Sequence, residues 1–377
     1  MIRDLYIKPI SEAALAETLA VPDLTDPANG MHAINLVLNE IIKGMAEQGW
    51  PAAEVRRSSP VVPVADNFDR LFFPTDNISR SSVYTRYTDP DHLLRTHTSS
   101  MIPDLLLERP ALPDRLMVCP GICFRRDIVD RTHCGEPHQL DIWRIKHGEL
   151  RLEREALLEL IRVVIRSVLP DNEYRCNEVE HPYTIHGLEV EVNVGGEWLE
   201  LLECGEARPQ LLDNSGLPRG EYSGLAMGIG LDRLVMLVKG VDDIRLLRAR
   251  DPRVSAQMLN LEPYQAVSKY PPIRHDMSIC VPEATEIEDI SEQARQVLGD
   301  DVDVLESIEL RSSTGYDQLP PQAIERMGMR EGQKNLLVRF IFRSHERSLV
   351  QEEANIMRDN IYDVIHQGTV KTYASRK

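Results

Sequence analysis

Apolar residues recur along this chain with two different periods, and each period predicts one kind of element. Helical spacing at residues 31–48 and again at 149–168 predicts two amphipathic helices, and a shorter helix is expected at 11–19. Period-two alternation at 188–194 and 198–202, with two glycines between the runs, predicts a β-hairpin. This part of the chain therefore mixes helices with antiparallel strands.

The stretch at 123–143, CFRRDIVDRTHCGEPHQLDIW, joins two apolar runs through a polar turn and predicts another antiparallel hairpin. Arg125 is expected just inside the first strand, on the same face as Asp127. Gln139 and Asp141 share a face of the return strand. A guanidinium on a strand offers a fork for a phosphate, and facing carboxylate and amide groups can hold an ammonium. The alternative is a polar hairpin with surface ion pairs.

Residues 223–237, SGLAMGIGLDRLVML, pass from small residues into an apolar helix. Glycines at 224, 228 and 230 allow the backbone to approach another group closely. The pattern is not a dinucleotide-binding fingerprint, because no βαβ unit surrounds it. A strand is also expected at 59–65.

Carboxylates at Glu189, Glu191 and Glu200 lie on the hairpin strands predicted above. Carboxylate oxygens suit Mg²⁺ when a nucleotide supplies further ligands, and the alternative is a solvated strand face. A zinc site built from Cys119 and Cys123 is disfavoured, because the two cysteines lie on a strand and no second CxxC pair follows.

The composition changes near residue 269, where we place a boundary between a domain at 1–268 and a domain at 269–377. The second domain has predicted strands and helices in the order βαββαβ, which indicates a ferredoxin-like fold. Its strands are expected at 273–280, 302–310, 336–342 and 370–373, its helices at 287–298 and 350–366, and an insertion at 312–333.

Composition limits the classes of protein to which the chain can belong. At 377 residues with 42% hydrophobic residues, it fits a two-domain globular protein. No run of 18 apolar residues predicts a membrane span, so no membrane partner is expected. Six scattered cysteines do not form a disulfide framework and favour a reducing cytoplasm.

The net charge of −17 opposes non-specific binding to nucleic acid, so such a partner needs a local basic patch. Arg339, Arg343 and Arg347 lie close together in the second domain and are the predicted phosphate contacts. The alternative is a set of solvated charges at a strand edge.

The 123–143 hairpin resembles motif 2 of class II aminoacyl-tRNA synthetases in the form found in the phenylalanyl-tRNA synthetase family. The residues that carry the match are Arg125, Thr132, His133, His138 and Gln139. The string LLRTHTS at 93–99 resembles the amino-acid-binding turn of that family, and 223–237 resembles motif 3. The helix at 31–48 resembles motif 1, and the second domain resembles the family's anticodon-binding domain.

The resemblance implies an α+β fold: a class II antiparallel sheet flanked by helices, followed by a ferredoxin-like domain. It also implies an enzyme that activates an amino acid with ATP and Mg²⁺ and transfers it to tRNA. The implied catalytic residues are Arg125 and Arg233. The nucleotide would be bound by Arg125, His133, Arg233 and Glu200, with the metal on Glu200. The amino acid would be bound by His97, Ser99, Asp127, Gln139, Asp141, His181, Tyr183 and Ala226. The tRNA would contact Arg339, Arg343 and Arg347.

The predicted substrate pocket departs from the family at one place. The family has Phe-Pro-Phe where this chain has His181, Pro182 and Tyr183, whereas Ala226, which makes room for the far end of the substrate ring, is retained. Phenylalanine, another amino acid, a paralogue with a non-tRNA acceptor and a non-catalytic RNA-binding relative therefore all stay open. The chain is expected in the cytoplasm, either as a homodimer through the helix at 31–48 or as a monomer.

Overall fold

A seven-stranded sheet forms the centre of the first of two units into which the chain divides. The computed structural model describes residues 7–108, 113–126, 130–267 and 270–371. The first unit comprises 1–125, 136–241 and 257–264, and the second comprises 126–135, 242–256 and 265–377.

Strands and helices alternate irregularly along the chain. The strands are β1 (Ala53–Val55), β2 (Val61–Pro63), β3 (His92–Leu94), β4 (Asp114–Ile122), β5 (His138–His147), β6 (Tyr174–Glu178), β7 (Thr184–Val194), β8 (Glu197–Ala207), β9 (Tyr222–Gly230), β10 (Ile273–Pro282), β11 (Leu305–Gly315) and β12 (Gln333–Phe342). The helices are α1 (Glu12–Leu19), α2 (Ala33–Glu47), α3 (Val64–Asn67), α4 (Ile102–Leu107), α5 (Arg154–Val168), α6 (Pro209–Asn214), α7 (Leu231–Lys239), α8 (Pro252–Ser255), α9 (Ile287–Leu298), α10 (Pro321–Met327) and α11 (Gln351–Ile365).

The large sheet has the strand order β1-β4-β5-β9-β8-β7-β6. All neighbouring strands in it are antiparallel except β1 and β4, which are parallel. Helix α2 packs against α5 and α7, and α5 and α7 contact strands β8, β5 and β9. The predicted α+β class is confirmed by this sheet and its flanking helices.

Local sequence explains where α2 begins and ends. The ring Nδ1 of His32 accepts a hydrogen bond from the backbone N–H of Ile34, and the side-chain oxygen of Asn35 accepts one from the backbone N–H of His32. Two backbone donors at the start of the helix are thereby satisfied. Gly49, with φ of +74°, follows the helix end in the left-handed region that favours glycine.

The hairpin predicted at 123–143 forms from β4 and β5, but the expected position of Arg125 on a strand is wrong. Strand β4 ends at Ile122. The next residue, Cys123, donates to the carbonyl of Pro137, and proline has no N–H with which to continue the ladder. Phe124 then donates to Arg95 instead, so Arg125 lies on irregular backbone beyond the strand.

Two other predicted elements are shorter than expected. The strand predicted at 59–65 is confined to Val61–Pro63, because α3 begins at the next residue. The helix predicted at 149–168 begins only at Arg154, because the backbone N–H of Leu152 donates to the Ser223 hydroxyl instead of entering a helix.

In the second unit, a three-stranded antiparallel sheet has the order β10-β12-β11. Helices α9 and α11 pack together, and their apolar residues share a core with the buried side chains of the sheet. The segment 312–333 contains the end of β11 and α10, and Met327 from it packs against Cys280. Of the strand predicted at 370–373, residues 370 and 371 are not in a strand, and the rest lies outside the described residues.

Within the parts of the chain that are described, no helix is both long and apolar enough to cross a membrane.

The close packing of α2 on α5 generates a prediction about stability. A Cβ added to Gly44 would overlap the side chain of Ser167. Alanine is normally favoured over glycine in a helix interior by about 0.5–1 kcal/mol. We nevertheless expect Gly44→Ala to lower the free energy of unfolding by about 1–3 kcal/mol, because the helices must separate. Urea unfolding measures the change.

The matched control is the double variant Gly44→Ala, Ser167→Gly, which removes the overlapping side chain. It should recover most of the loss, with a coupling energy of about 0.5–3 kcal/mol between the two positions. Strictly additive effects would show that the two helices do not meet at these residues.

Candidate active site

One face of the large sheet combines polar side chains with glycines. Side chains two apart on a strand share a face, so this face is defined by alternate residues of three neighbouring strands. On β5 it carries Gln139, Asp141 and Trp143, and their partners on β9 are Gly230, Gly228 and Ala226. On β8 the corresponding residues are Glu203, opposite Gly228, and Gly205, opposite Ala226.

The glycines leave room above the sheet. A Cβ added at Gly228 or at Gly230 would meet no atom within 4 Å. Ala226, two residues earlier on β9, is only 1% exposed. A ligand can therefore approach the backbone beside Asp141 and Gln139, while the sheet at Ala226 is covered.

Asp141 is a buried carboxylate beside this open floor, with 2% of its surface exposed. It accepts hydrogen bonds from the Thr98 hydroxyl at 2.7 Å and from the Trp143 indole at 3.2 Å, and it also contacts the Ser99 hydroxyl. Burial raises the pKa of its carboxyl group, although these hydrogen bonds act in the opposite direction. A bound cation would favour the ionised form, so the group is suited to an ammonium.

Arg125 is half-buried and anchored through one nitrogen. Its Nε donates to the carbonyl of Thr96 at 2.8 Å. Its two Nη atoms donate to no residue in the described ranges, which leaves the open end of the guanidinium fork for a ligand.

Arg233 lies in the first turn of α7 with 26% of its side chain exposed. Its Nη1 donates to the carbonyl of Glu200 at 2.8 Å and lies 3.9 Å from the Glu200 carboxylate. The preceding residue, Asp232, accepts from the backbone N–H of His138 and lies 3.1 Å from its Nδ1. These contacts connect the start of α7 to the start of β5.

Three carboxylates lie close enough together to bind a cation. Oxygens of Glu189, Glu200 and Glu203 all lie within 4.8 Å of one another. Burial, and to a smaller extent the negative charge of Glu203, raises the pKa of Glu200. Hard oxygen donors of this kind suit Mg²⁺. Glu191 is not in the group and pairs with Arg175 at 2.6 Å.

Aromatic rings line the site on one side. The Tyr183 ring stacks with Trp143 at 5.9 Å and lies 6.3 Å from Phe73, which stacks with His97 at 5.3 Å. Burial, together with the charge of Arg125, lowers the pKa of His97 to about 3, so the ring is neutral. Burial raises the pKa of Tyr183, whose hydroxyl contacts Ser99.

His181 is the other residue that differs from the resembling family. Its Nε2 lies 3.4 Å from Glu203, its Nδ1 lies 3.1 Å from the Thr184 hydroxyl, and its ring stacks with Tyr183 at 6.4 Å. The contact with His181 lowers the pKa of Glu203.

The remaining predicted residues belong to the second unit or are not described. His133 is part of the second unit, where its Nδ1 lies 2.9 Å from Asp130. Asp127 lies outside the described residues. The predicted roles of both residues stay predictions.

The three arginines predicted to contact tRNA all have acidic partners within the second unit. Arg339 pairs with Asp276 at 2.7 Å, Arg343 with Glu306 at 2.5 Å and Arg347 with Glu353 at 2.6 Å. Their charges are thus partly neutralised, and their contact with tRNA stays a prediction.

Sequence reasoning missed Trp143, Thr98 and Glu203 as members of the site. The signal for Trp143 was present, because period-two alternation places it on the same face as Gln139 and Asp141. No comparable signal existed for Glu203, since its place beside His181 depends on the pairing of β7 with β8.

Comparison with known proteins gives two matches to protein families. Residues 19–258 match the family described as tRNA synthetases class II core domain (F), and residues 268–371 match the ferredoxin-fold anticodon binding domain.

Named relatives cover most of the chain. A chloroplastic/mitochondrial phenylalanine–tRNA ligase from Arabidopsis thaliana is 30% identical over 82% of this chain and 70% of its own length. A probable mitochondrial phenylalanine–tRNA ligase from Drosophila melanogaster is 28% identical over 80% of this chain and 75% of its own. A phenylalanine–tRNA ligase alpha subunit from Prochlorococcus marinus is 33% identical over 67% of this chain and 75% of its own.

The raised pKa of Asp141 generates a prediction about stability against pH. Between the ordinary aspartate pKa and the raised one, the unfolded chain releases this proton first, so the free energy of unfolding falls as pH rises. Asp141→Asn removes the titration. We expect it to gain stability relative to the wild type as pH rises through this interval, measured by urea unfolding at several pH values.

Asp130→Asn is the matched control, because contact with His133 lowers the pKa of the Asp130 carboxyl. That variant should lose stability relative to the wild type at neutral pH, and the loss should shrink as pH falls. If the free energy of unfolding of Asp141→Asn differs from that of the wild type by the same amount at every pH, the pKa of this carboxyl is not raised in the folded protein.

Proposed function

The chain belongs to the class II tRNA synthetases of core-domain type F, and we propose how its own residues carry out the ligase reaction of that family. It is an aminoacyl-tRNA ligase of the phenylalanine–tRNA ligase type, with an anticodon-binding domain on the same polypeptide. The observation that carries the proposed mechanism is the buried Asp141 beside the open glycine floor of the sheet.

In the first step, the carboxylate of the amino acid attacks the α-phosphate of ATP. An aminoacyl-adenylate forms and pyrophosphate leaves. A carboxylate is already a nucleophile, so the protein needs no general base. Its contribution is to position the reactants and to stabilise the charge that builds on the phosphate.

We assign to Arg125 the role of stabilising the negative charge that builds on the α-phosphate. Its Nε is held by the carbonyl of Thr96, so the open end of the fork is pre-oriented. A planar guanidinium binds phosphate and carboxylate oxygens through two parallel hydrogen bonds. Holding both reacting groups on one fork brings the nucleophile to the phosphorus.

The ammonium of the amino acid is assigned to Asp141, with Gln139 two residues earlier on the same face. His97 and Ser99 complete this end of the site. The neutral His97 ring does not compete with the ammonium for Asp141, because its pKa of about 3 keeps it uncharged at neutral pH.

The nucleotide and its metal are assigned to the other end of the face. Arg233 would contact the far end of ATP. The contact of His133 with the phosphates, which the resemblance implies, stays a prediction from the sequence. The group formed by Glu189, Glu200 and Glu203 would hold Mg²⁺, with nucleotide oxygens as further ligands. When bound, the metal supplies positive charge to the phosphates.

Phenylalanine or a related amino acid is the proposed substrate, and the contacts of the two altered residues support an apolar side chain. The Nδ1 of His181 lies 3.1 Å from the Thr184 hydroxyl, and the Tyr183 hydroxyl contacts Ser99. The Nε2 of His181 makes no hydrogen bond within the described residues but lies 3.4 Å from the Glu203 carboxylate. Polar atoms that have protein partners need none from the ligand. The rings of both residues can then face an aromatic substrate.

In the second step, a terminal hydroxyl of tRNA attacks the carbonyl carbon of the aminoacyl-adenylate, so that an ester bond forms, AMP leaves and the hydroxyl proton is released. The second unit is proposed to bind this tRNA. The residues proposed for that contact are Arg339, Arg343 and Arg347. Whether the chain is a homodimer or a monomer, and its cytoplasmic location, stay predictions from the sequence.

Arg125→Ala tests the assignment of the reacting phosphate. Loss of the fork should reduce ATP–pyrophosphate exchange by about 10²-fold or more, since it removes charge stabilisation in the transition state. Arg125→Lys keeps the charge without the bidentate geometry and should recover only part of the rate. Exchange within a factor of a few of wild type for Arg125→Ala would refute the assignment.

Arg339 and its partner Asp276 form a matched pair of variants for the tRNA contact. Arg339→Ala should weaken tRNA binding and lower the slope of log K against log salt by about 1, because one phosphate contact is lost. Asp276→Ala breaks the same ion pair but leaves the arginine, so tRNA binding should be unchanged or tighter. Both are measured by aminoacylation at several salt concentrations.

Equal losses of tRNA binding in the two variants would show that binding depends on the ion pair and not on a contact between Arg339 and tRNA. Aminoacyl transfer that proceeds without any dependence on tRNA would instead support the paralogue with a different acceptor.

A further inference from the structure

The side chain of Asn67, at the end of α3, makes two hydrogen bonds to a single residue. Its Oδ1 accepts from the backbone N–H of Thr96 at 3.1 Å, and its Nδ2 donates to the Thr96 hydroxyl at 2.9 Å. The backbone N–H can only donate, so it fixes the amide with Oδ1 toward the backbone and Nδ2 toward the hydroxyl. Asn67 is 0% exposed, so water does not compete for either bond.

These two bonds determine where the third polar group of Thr96 points. The ladder between β2 and β3 ends at Leu94, so the Asn67 amide takes the place of a partner strand at Thr96. The side chain of threonine is restricted to few rotamers, so a residue held at both its hydroxyl and its N–H has a fixed orientation. The remaining group is its carbonyl, which accepts from the Nε of Arg125 at 2.8 Å.

The residue before Thr96 holds the backbone that leads to Arg125. The carbonyl of Arg95 accepts from the N–H of Phe124 at 2.9 Å, and the N–H of Arg95 donates to the Pro60 carbonyl at 2.9 Å. Two consecutive carbonyls therefore hold two consecutive residues, the first through its backbone and the second through its guanidinium. The position of the fork follows from the position of this short segment.

An apolar cluster connects the two sides of the contact between Asn67 and Thr96. The residue after Asn67 is Phe68, which is fully buried and belongs to the same cluster as Tyr87 and Leu93. Leu93 lies on β3, three residues before Thr96. The amide and the backbone that it binds are thus attached to one core, which keeps their separation constant.

We propose that Asn67 is a positioning residue for Arg125 that acts through Thr96, an inference that rests on the proposed function. The amide orients the Thr96 carbonyl, the carbonyl holds Nε, and the two Nη atoms are directed at the carboxylate and the α-phosphate before either substrate binds. A donor that is oriented in advance needs no reorganisation when charge builds in the transition state.

ATP–pyrophosphate exchange in a double-mutant cycle tests the proposal. Asn67→Ala leaves the Thr96 carbonyl free to turn away from Arg125. We expect kcat per folded enzyme to fall by about 10- to 100-fold, the cost of a small displacement of a catalytic group. In the Arg125→Ala background the same substitution should cause almost no further loss, because the group that it positions is absent. Circular dichroism and urea unfolding give the folded fraction.

Thr96→Val and Thr96→Ser form a matched pair that serves even if Asn67→Ala does not fold. Valine has nearly the shape of threonine but lacks the hydroxyl, so it removes one of the two bonds. Serine retains both. Thr96→Val should lower exchange with Arg125 present and not in the Arg125→Ala background, whereas Thr96→Ser should exchange at close to the wild-type rate.

Losses by the same factor in both backgrounds would overturn the proposal, because a residue that only stabilises the fold acts whether or not the fork is present. Wild-type exchange by folded Asn67→Ala would overturn it as well. Both outcomes would leave the assignment of Arg125 intact. Near wild-type exchange by Arg125→Ala alone would instead overturn the proposed mechanism and this inference with it.

Discussion

The buried contact between His138 and Asp232 is the constraint on which the site depends. Asp232, at the start of α7, accepts from the backbone of His138 and lies 3.1 Å from its Nδ1. The Nε2 of His138 accepts from the backbone of Leu24 at 3.0 Å. A buried carboxylate left without partners would be costly, so these three segments are held in one arrangement. The residues that follow each partner, Gln139 and Arg233, are thereby fixed on their own elements.

Much of the fold could be predicted from the sequence, because hydrophobic periodicity is a local property. The helix predicted at 287–298 has the observed bounds, and the helices at 31–48 and 350–366 are each longer than observed by only one or two residues at either end. The hairpin that carries Gln139 and Asp141 could likewise be predicted from its two apolar runs. Arg125 was misplaced because the end of a strand ladder depends on a partner residue, here Pro137 just before β5.

Ion pairing in the second unit is a property that the sequence does not specify. Arg339 lies opposite Asp276 on β10 and opposite Glu309 on β11, and this register follows from the pairing of three strands that are distant in the chain. A group of arginines in sequence therefore does not by itself form a basic surface. The same applies to the sheet face that carries Asp141, where the neighbours of Trp143 are set by the pairing of β5 with β9.

Glycines at 228 and 230 form the floor of the site from backbone atoms alone. A substitution at either position can therefore leave the stability of the fold unchanged and still impair activity. An added side chain at either position would contact no protein atom within 4 Å and would extend into space that only a ligand uses. Screens that select for solubility or thermal stability would therefore pass such variants as neutral. Harmful substitutions on this floor would be recognised only by assays that include the substrates.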